Sequence, residues 1–261
     1  MREELKFAID LAKDVGKILM DGIDKVEIEK SKTDKRDICT NMDLRAEKLI
    51  IKRIRNKYPH HKIYSEEIGK IDEKSDYVWI IDPIDGTKYY TNGIKLFSTS
   101  IALWKKNESI IGVVFFPGLN DIYWAEKGRG AFCNKKRIKV SDNKDLKYSM
   151  IVLDLAYSNK LTLKEKKIAL KRMGVLFKNV YRIRAFGSGP LSVCSVARGG
   201  LEGYFDLSGK QEILDIAAGI IIAKEAGARI TGLDGKYHGQ DTKHIVISNS
   251  KIHSKLLKIL N

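Results

Sequence analysis

Residues 79–87, with the sequence Trp-Ile-Ile-Asp-Pro-Ile-Asp-Gly-Thr, constrain this chain more than any other stretch. The apolar, β-branched run predicts a strand, and we expect it to stop at Pro83 because proline has no N–H to donate to a sheet. Asp82 and Asp85 would then lie close together at the end of the sheet without being buried in a core. Two carboxylates so placed repel each other, and Mg²⁺, which takes oxygen ligands, would relieve that repulsion. An Asp-rich turn after a strand is the simpler alternative.

Length and composition favour a folded protein of the cytoplasm. The 261 residues can form one large domain or two small ones, and a hydrophobic content of 43% argues against disorder. No run approaches the roughly 18 apolar residues that a membrane span needs, and residues 1–4 do not begin a signal peptide. We therefore expect no membrane partner. Cys39, Cys133 and Cys194 are too far apart to indicate a disulfide framework or a zinc site, so we expect reduced thiols.

The net charge of +15 raises the alternative of a nucleic-acid-binding protein. The lysines are spread over the chain, however, and no basic region with heptads, zinc-finger spacing or aromatic RNA-binding signature accompanies them. We therefore expect a solvated, lysine-rich surface and no nucleic-acid partner. Its positive potential would attract an anionic substrate. The lysine clusters lie at 30–35, 105–106, 135–136 and 164–167.

Hydrophobic spacing predicts two helices near the N-terminus. The first covers residues 3–21, and the second runs from Asn41, as its cap, to about Lys57. Residues 22–40 between them are polar and indicate a loop or a weak hairpin, and from residue 63 to 140 the pattern changes to strands. The buried face of the second helix is expected to carry Leu44, Leu49, Ile50 and Ile54. The clearest strands are 77–82, 97–104, 110–116 and 121–125.

Beyond residue 144 strands and helices alternate, which predicts a second kind of unit. We place a boundary near residues 140–148, between an N-terminal domain (1–143) and a C-terminal domain (144–261) that would contribute Asp215 and substrate contacts. The predicted fold class combines α+β and α/β: an antiparallel N-terminal sheet with helices and a smaller C-terminal α/β unit. The C-terminal elements are strands at 150–153, 180–185, 228–231 and 244–248 and helices at 161–173, from 190, after 215 and from 250.

Three blocks of the sequence resemble signatures of the inositol monophosphatase family of metal-dependent phosphatases. Residues 82–87 are similar to the family's Asp-Pro-Ile/Leu-Asp-Gly-Thr/Ser, residues 65–67 to its Gly/Ser-Glu-Glu, and residues 215–219 to its Trp-Asp-x-Ala-Ala/Gly-Gly. The blocks follow in the family's order and nearly span the chain. The resemblance implies a layered αβαβα sandwich of the sugar-phosphatase type, hydrolysis of a small phosphorylated substrate with two or three Mg²⁺ ions per site, and a homodimer.

Four acidic residues from three segments are candidates for the metal site. They are Glu66, Asp82, Asp85 and Asp215. Each lies at or near the end of an apolar run, and two ions held by such acids can clamp the attacking and leaving oxygens of a phosphoryl transfer. The resemblance implies that all four bind metal, that the Ile84 carbonyl adds a ligand, and that Glu66 also serves catalysis. The sequence does not decide between Glu66 and Glu67 as the ligand, and by themselves the two could form an exposed acidic turn.

Gly86 and Thr87 are candidates for binding the phosphate. Glycine lets a backbone approach a phosphate closely, and free N–H groups at Thr87 would form an anion site if a helical turn begins there. The resemblance implies that the phosphate lies on these amides, that Asp85 also contacts the substrate, and that the Thr87 hydroxyl, paired with Asp43, orients the attacking water. Asp43 and Thr87 would accept the proton of that water, so no side-chain nucleophile is needed. Asp43 could instead be a helix N-terminal acid.

A third group of residues matches family positions that contact sugar or inositol hydroxyls. These residues are Gly187, Ser188, Gly189 and Asp206. Gly-Ser-Gly-Pro is equally an ordinary turn into a helix. Arg184, Tyr157 and Lys210 are further candidates for contacting a second phosphate or a sugar.

The sequence departs from the family pattern next to the predicted site. Leu214 stands where the second signature has tryptophan, and Tyr89-Tyr90 stands where Asn-Phe often follows the first. These changes lie in substrate-facing regions and leave the metal ligands intact, so the sequence predicts a phosphatase without fixing its substrate. Inositol 1-phosphate and fructose 1,6-bisphosphate are the first candidates, and adenosine 3′,5′-bisphosphate and histidinol phosphate are the alternatives.

Overall fold

The computed structural model of the chain describes residues 1–31, 38–154, 161–209 and 211–261. The helices in these ranges are α1 (Glu3–Gly22), α2 (Asn41–Lys57), α3 (Thr87–Thr91), α4 (Leu163–Asn179), α5 (Gly189–Ala197), α6 (Ile213–Glu225) and α7 (His253–Leu260). The strands are β1 (Ile28–Ser31), β2 (Ile38–Thr40), β3 (Lys62–Ser65), β4 (Gly69–Ile71), β5 (Tyr77–Asp85), β6 (Ser98–Lys105), β7 (Glu108–Phe116), β8 (Asp121–Glu126), β9 (Ala131–Cys133), β10 (Lys136–Ile138), β11 (Met150–Asp154), β12 (Arg182–Arg184), β13 (Gly203–Asp206), β14 (Ala228–Thr231) and β15 (Val246–Asn249).

The described strands form two large sheets and one small one. The larger has eight strands in the order β10-β9-β8-β7-β6-β5-β3-β4 and is antiparallel except where β3 pairs with β5. The second has five strands in the order β12-β11-β13-β15-β14, in which β11 runs parallel to both of its neighbours. β1 and β2 pair with each other in antiparallel fashion, which agrees with a weak hairpin in residues 22–40.

The layers follow from the alternation of side chains along the strands. In β5, Trp79 and Ile81 join a core that packs under α1 and α2, whereas Ile80 joins a second core built largely from α5 and α6. In β11, Val152 points into that second core, while Ile151 joins a third core with residues of α4 and α7. The order of layers is therefore helices, sheet, helices, sheet, helices, and the αβαβα prediction is confirmed.

The start of α2 differs from the prediction. Thr40 caps the helix rather than Asn41, because its hydroxyl accepts hydrogen bonds from the backbone N–H groups of Met42 and Asp43. Leu44 is 39% exposed and does not belong to the buried face. Met42 is buried in its place, and two acids of the same helix, Asp43 and Glu47, are also buried. A hydrophobic pattern could not reveal this face because polar residues occupy part of it.

The prediction that β5 stops at Pro83 is wrong. The strand continues to Asp85, and its register with β6 shifts between Asp82, which faces Ser100, and Asp85, which faces Ser98. The bulge adds one residue to β5 at the proline, where no N–H is available for the ladder. The two aspartates are also buried, at 2% and 8% exposure. The expectation that they lie outside a core is therefore wrong as well.

Several elements in the C-terminal half also differ, and α4 ends at Asn179 rather than at residue 173. α6 begins at Ile213 rather than after Asp215, so Asp215 lies in its first turn. β13 was not predicted, because only four residues form it and the first is Gly203. The division into 1–143 and 144–261 stays a prediction. None of the helices in the described ranges is both long and apolar enough to cross a bilayer, and the compartment stays a prediction.

Candidate active site

Asp43 lies at the first turn of α2 with its carboxylate oxygens facing two different partners. Oδ2 accepts from the Thr40 backbone N–H at 2.8 Å and from the Thr40 hydroxyl at 2.5 Å, which completes a capping box. Oδ1 lies 3.4 Å from the hydroxyl of Thr87, which begins α3. Burial raises the pKa of the Asp43 carboxyl to about 6, although the Thr40 hydrogen bonds act in the opposite direction. A carboxylate with such a pKa can take up a proton near neutral pH.

Asp82 and Asp85 lie on either side of the bulge in β5. Burial raises the pKa of Asp82 well above its ordinary value, and the charges of Glu66, Asp85 and Asp215 raise it further. Burial also raises the pKa of Asp85 to about 8, against the lowering effect of a hydrogen bond that the Ser188 hydroxyl donates to its Oδ2. The two aspartates therefore face other acids in a poorly hydrated place.

Glu66 and Asp215 reach the same place from other elements. Glu66 directly follows β3, which runs parallel to β5 and pairs with it. Asp215 comes from the first turn of α6, where the side-chain amide of Gln211 donates to its Oδ2. Burial raises the pKa of Asp215 well above its ordinary value, and Asp85 and Glu66 are the next causes. The structure thus brings the four predicted acids into mutual electrostatic contact.

This donor set fits a hard divalent cation. Asp82 Oδ1 is buried and has no hydrogen-bond partner among the described residues, so a cation would satisfy an oxygen that the described protein atoms do not. The raised pKa values of these acids also favour a cation, since its charge would offset the repulsion between the carboxylates. In the ranges that the structure describes, no group of three or more His, Cys, Asp or Glu side chains is arranged to hold an ion as it stands. The ligand roles of Glu66, Asp82, Ile84, Asp85 and Asp215 stay predictions.

Gly86 makes the sharp turn from β5 into α3. Its φ is +83°, in the left-handed region that glycine adopts most readily, and an added Cβ would lie 3.3 Å from the Leu96 carbonyl oxygen. The turn places Thr87 beside Asp43 and lets its hydroxyl donate to the Ile84 carbonyl at 3.0 Å. The phosphate-binding role of Gly86 and Thr87 stays a prediction on this geometry.

The residues that are predicted to contact the substrate alcohol lie in different surroundings. Ser188 is buried beside Asp85, and Gly189 is buried next to α6, where an added Cβ would lie 3.0 Å from a methyl group of Ile216. Asp206 is also buried, and its Oδ1 accepts from the backbone N–H of Ser208 at 2.9 Å. That carboxylate therefore shapes a turn.

Three of the remaining candidates are in the described ranges, and two lie outside the described residues. Arg184 is exposed on β12, where its guanidinium donates to the Ile183 carbonyl at 3.0 Å. Gly187 is exposed, with a φ of +61°. Glu67 donates its backbone N–H to Glu47 at 2.9 Å, which fixes its place but not its role. Tyr157 and Lys210 lie outside the described residues.

Two residues near the site were missed by the sequence reasoning. Glu47, 1% exposed on α2, accepts hydrogen bonds from the Ser65 hydroxyl and from the backbone N–H groups of Glu67 and Ile68, the latter at 3.2 Å. Its signal was its position four residues after Asp43, on the same face of a helix. The side-chain oxygen of Gln211 accepts a hydrogen bond from the Tyr204 hydroxyl at 2.6 Å, and its amide nitrogen donates one to Asp215. No motif marked it.

Comparison with known sequences agrees with this geometry. The whole chain, residues 1–261, matches the model of the inositol monophosphatase family. A fructose-1,6-bisphosphatase/inositol-1-monophosphatase of Thermotoga maritima is 37% identical over 261 residues, which cover 99% of this chain and 96% of the relative. A Nus factor SuhB of Pasteurella multocida is 32% identical over 259 residues, covering 98% of this chain and 95% of the relative.

Solved structures match over the same length. The chain superposes on an IMPase of Thermotoga maritima with a TM-score of 0.89 at 35% identity, covering 100% of this chain and 97% of the other. The extragenic suppressor protein suhB of Bartonella henselae gives a TM-score of 0.91 at 28% identity, with 100% and 99% covered. The sugar-phosphatase layering and the phosphatase class are thereby confirmed. This chain belongs to the inositol monophosphatase family.

Proposed function

We propose that the protein is a Mg²⁺-dependent phosphomonoesterase that hydrolyses small polyol or sugar phosphates, with inositol 1-phosphate and fructose 1,6-bisphosphate as its first candidate substrates. The observation that carries the proposal is the meeting of four buried or half-buried acids beside the Asp43–Thr87 pair. The names of two relatives support the choice of substrates, since each is called a fructose-1,6-bisphosphatase/inositol-1-monophosphatase.

In this proposal Glu66, Asp82, Asp85, Asp215 and the Ile84 carbonyl would hold two or three Mg²⁺ ions. The ions would lower the pKa of water, polarise the phosphate and neutralise the leaving oxygen. The protein's own part is to hold the carboxylates together, at an electrostatic cost that the raised pKa values of Asp82 and Asp215 report.

Proton transfer would pass through the Asp43–Thr87 pair. The Thr87 hydroxyl can donate to Asp43 or to the Ile84 carbonyl, which leaves its lone pairs available for a proton from the attacking water. Asp43, with a pKa raised to about 6, is a suitable acceptor for that proton. Gly86 would let the backbone approach the phosphate, while residues 187–189 and Asp206 would contact the alcohol.

The decisive experiment is a phosphate-release assay with a panel of substrates. Inositol 1-phosphate, fructose 1,6-bisphosphate, adenosine 3′,5′-bisphosphate and histidinol phosphate would each be tested with and without Mg²⁺. Release from the first two that requires Mg²⁺ supports the proposal. A preference for either of the last two would assign the protein a different substrate among those considered for this family. No release from any of the four would refute the proposal.

A non-enzymatic role is a second candidate because of two observations. The net charge is +15, and relatives that cover nearly the whole chain are named Nus factor SuhB. Nucleic-acid binding through that charge would weaken steeply with salt and would survive Asp85→Asn. A filter-binding titration at two salt concentrations, run beside the phosphate assay on the same variant, separates this role from hydrolysis.

The proposed assembly is a homodimer, and α4 offers a surface for it. Five of its apolar side chains are exposed, and three of them, Leu163, Leu170 and Phe177, recur at intervals of seven residues on one stripe of the helix. The five are Leu163 at 77%, Ile168 at 40%, Leu170 at 64%, Met173 at 38% and Phe177 at 78%. A second copy of the chain could cover this stripe. Light scattering after size-exclusion chromatography tests the state, and Phe177→Asp should shift a dimer to monomer.

A further inference from the structure

Two neighbouring tyrosines of α3 donate hydrogen bonds to backbone carbonyls in different parts of the molecule. Tyr90 is buried and donates to the Leu19 carbonyl at 2.8 Å, in the core beneath α1. Tyr89 is half-buried and donates to the carbonyl of Phe186, in the segment that leads into α5. Only the second of these two bonds joins α3 to the segment that contains predicted contacts to the substrate alcohol, because Phe186 directly precedes Gly187.

The segment after Phe186 is attached to the site at a second point. Ser188 begins α5 as its cap, since its hydroxyl oxygen accepts from the Leu191 N–H at 3.3 Å, and the same hydroxyl donates to Asp85 Oδ2. Gly187 lies exposed between the two attachments with a φ of +61°. A short loop is thus fixed to β5 and α3 on both sides of a glycine, so its backbone position depends on both hydrogen bonds.

The tyrosine at position 89 is where this chain departs from the family's usual Thr-x-Asn-Phe. The amide group of asparagine is attached directly to its Cβ, whereas the hydroxyl of tyrosine lies across a whole ring. A residue of the usual length at this position could not make the bond to the Phe186 carbonyl that Tyr89 makes. The attachment therefore depends on the tyrosine at this position.

We propose that Tyr89 is a positioning residue that sets where residues 187–189 meet the alcohol of the substrate, and thereby determines selectivity among phosphate esters. The inference rests on the proposed function, because it assumes that this loop lies against the leaving alcohol. A neutral hydrogen bond of this kind is worth roughly a fivefold to tenfold change in an equilibrium. Loss of the hydrogen bond should therefore impair hydrolysis of esters whose alcohol contacts residues 187–189, and it should leave hydrolysis of other esters unchanged.

The test compares Tyr89→Phe with Tyr90→Phe, which removes the same group from the next residue of the same helix. The substrates are inositol 1-phosphate, fructose 1,6-bisphosphate and p-nitrophenyl phosphate, whose leaving group has no polyol hydroxyls. Tyr89→Phe should lower kcat/KM for the two polyol esters about tenfold, mainly through KM. It should leave p-nitrophenyl phosphate and inhibition by inorganic phosphate nearly unchanged. Tyr90→Phe should lower Tm and leave the ratio between substrates as in the wild type.

Hydrogen exchange gives a readout that does not depend on turnover. The amides of residues 187–189 should exchange faster in Tyr89→Phe than in the wild type or in Tyr90→Phe. An unchanged substrate ratio in Tyr89→Phe, or the same change in both variants, would overturn the inference even if the loop exchanges faster. A wild type that releases phosphate from none of the three esters would overturn the inference alone, and the proposed function would fail with it only if adenosine 3′,5′-bisphosphate and histidinol phosphate also released none.

Discussion

The hydroxyl of Thr87 lies 3.4 Å from Asp43 Oδ1 and 3.0 Å from the Ile84 carbonyl, and so joins the first turn of α2 to the end of β5. The residues are 44 positions apart in sequence, and the contact depends on two local features. The capping box of Thr40 fixes the Asp43 carboxylate, and the left-handed Gly86 turns the chain so that Thr87 faces it. The proposed proton acceptors are therefore positioned by the fold before any substrate binds.

Removing this hydroxyl should impair catalysis more than binding. We expect Thr87→Ala to lower kcat by about 100-fold, in the range for loss of a proton-transfer group, with a small change in KM. Thr87→Ser should keep most of the activity because it keeps the hydroxyl. The matched control is Thr91→Ala, since Thr91 is in the same helix and its hydroxyl donates to the Lys88 carbonyl at 3.2 Å. Equal losses of kcat in the Thr87 and Thr91 variants would argue against the role.

Replacing Asp85 by asparagine should separate stability from activity. Burial raises the pKa of Asp85 to about 8, so at neutral pH the carboxyl is largely protonated in the metal-free protein and asparagine replaces it with little change of charge. We expect Tm without Mg²⁺ to rise or stay constant, the increase of Tm on adding Mg²⁺ to shrink, and hydrolysis to be abolished. Differential scanning fluorimetry with and without Mg²⁺, beside the phosphate assay, measures all three. Near-normal turnover by the variant would contradict the metal-ligand assignment.

These sites show which parts of the molecule the sequence could predict. Asp82 and Asp85 were found because their residue types and spacing indicate chemistry, yet their burial was predicted wrongly, since a β-bulge depends on pairing with Ser98 and Ser100. Most helix and strand positions followed from hydrophobic periodicity, which local sequence expresses directly. Contacts such as Tyr89 to Phe186 join residues 97 positions apart. No periodic pattern encodes which carbonyl a tyrosine will meet.

Glu47 provides a test of how the Glu66 loop is held. Its carboxylate accepts from the Ser65 hydroxyl and from the Glu67 N–H at 2.9 Å, on either side of Glu66. Glu47→Ala would leave these buried donors without their acceptor, at a cost of about 1–3 kcal/mol in the free energy of unfolding. We also expect a several-fold higher Mg²⁺ concentration for half-maximal activity and weaker binding of Mn²⁺ measured by electron paramagnetic resonance.

The control for Glu47 is a second buried glutamate away from the site. Glu202 is 8% exposed, and its carboxylate accepts from the Met150 backbone N–H at 2.7 Å. Glu202→Ala should lower the free energy of unfolding by a comparable amount and leave Mn²⁺ affinity unchanged. If both variants bind Mn²⁺ as the wild type does, Glu47 only stabilises the fold.

The buried histidine of α7 should make the protein less stable in mild acid. His253 is fully buried between two hydroxyls, with Nδ1 2.8 Å from Ser248 Oγ and Nε2 2.9 Å from Thr231 Oγ1. Burial lowers its pKa from 6.5 to about 4, and the charge of Arg229 contributes in the same direction. The folded state therefore resists taking up a proton that the unfolded chain accepts.

The sign and range of the effect follow from these two pKa values. Above pH 6.5 the histidine is neutral in both states and contributes no pH dependence, whereas below it only the unfolded chain gains the proton, until the folded state follows near pH 4. The free energy of unfolding should thus fall by about 3 kcal/mol over this interval. Urea titrations at several pH values measure it in the wild type, in His253→Gln and in the exposed-histidine control His60→Gln. The free energy of unfolding should change less with pH in His253→Gln than in the other two proteins. An equal dependence on pH in all three would show that other groups cause the acid sensitivity.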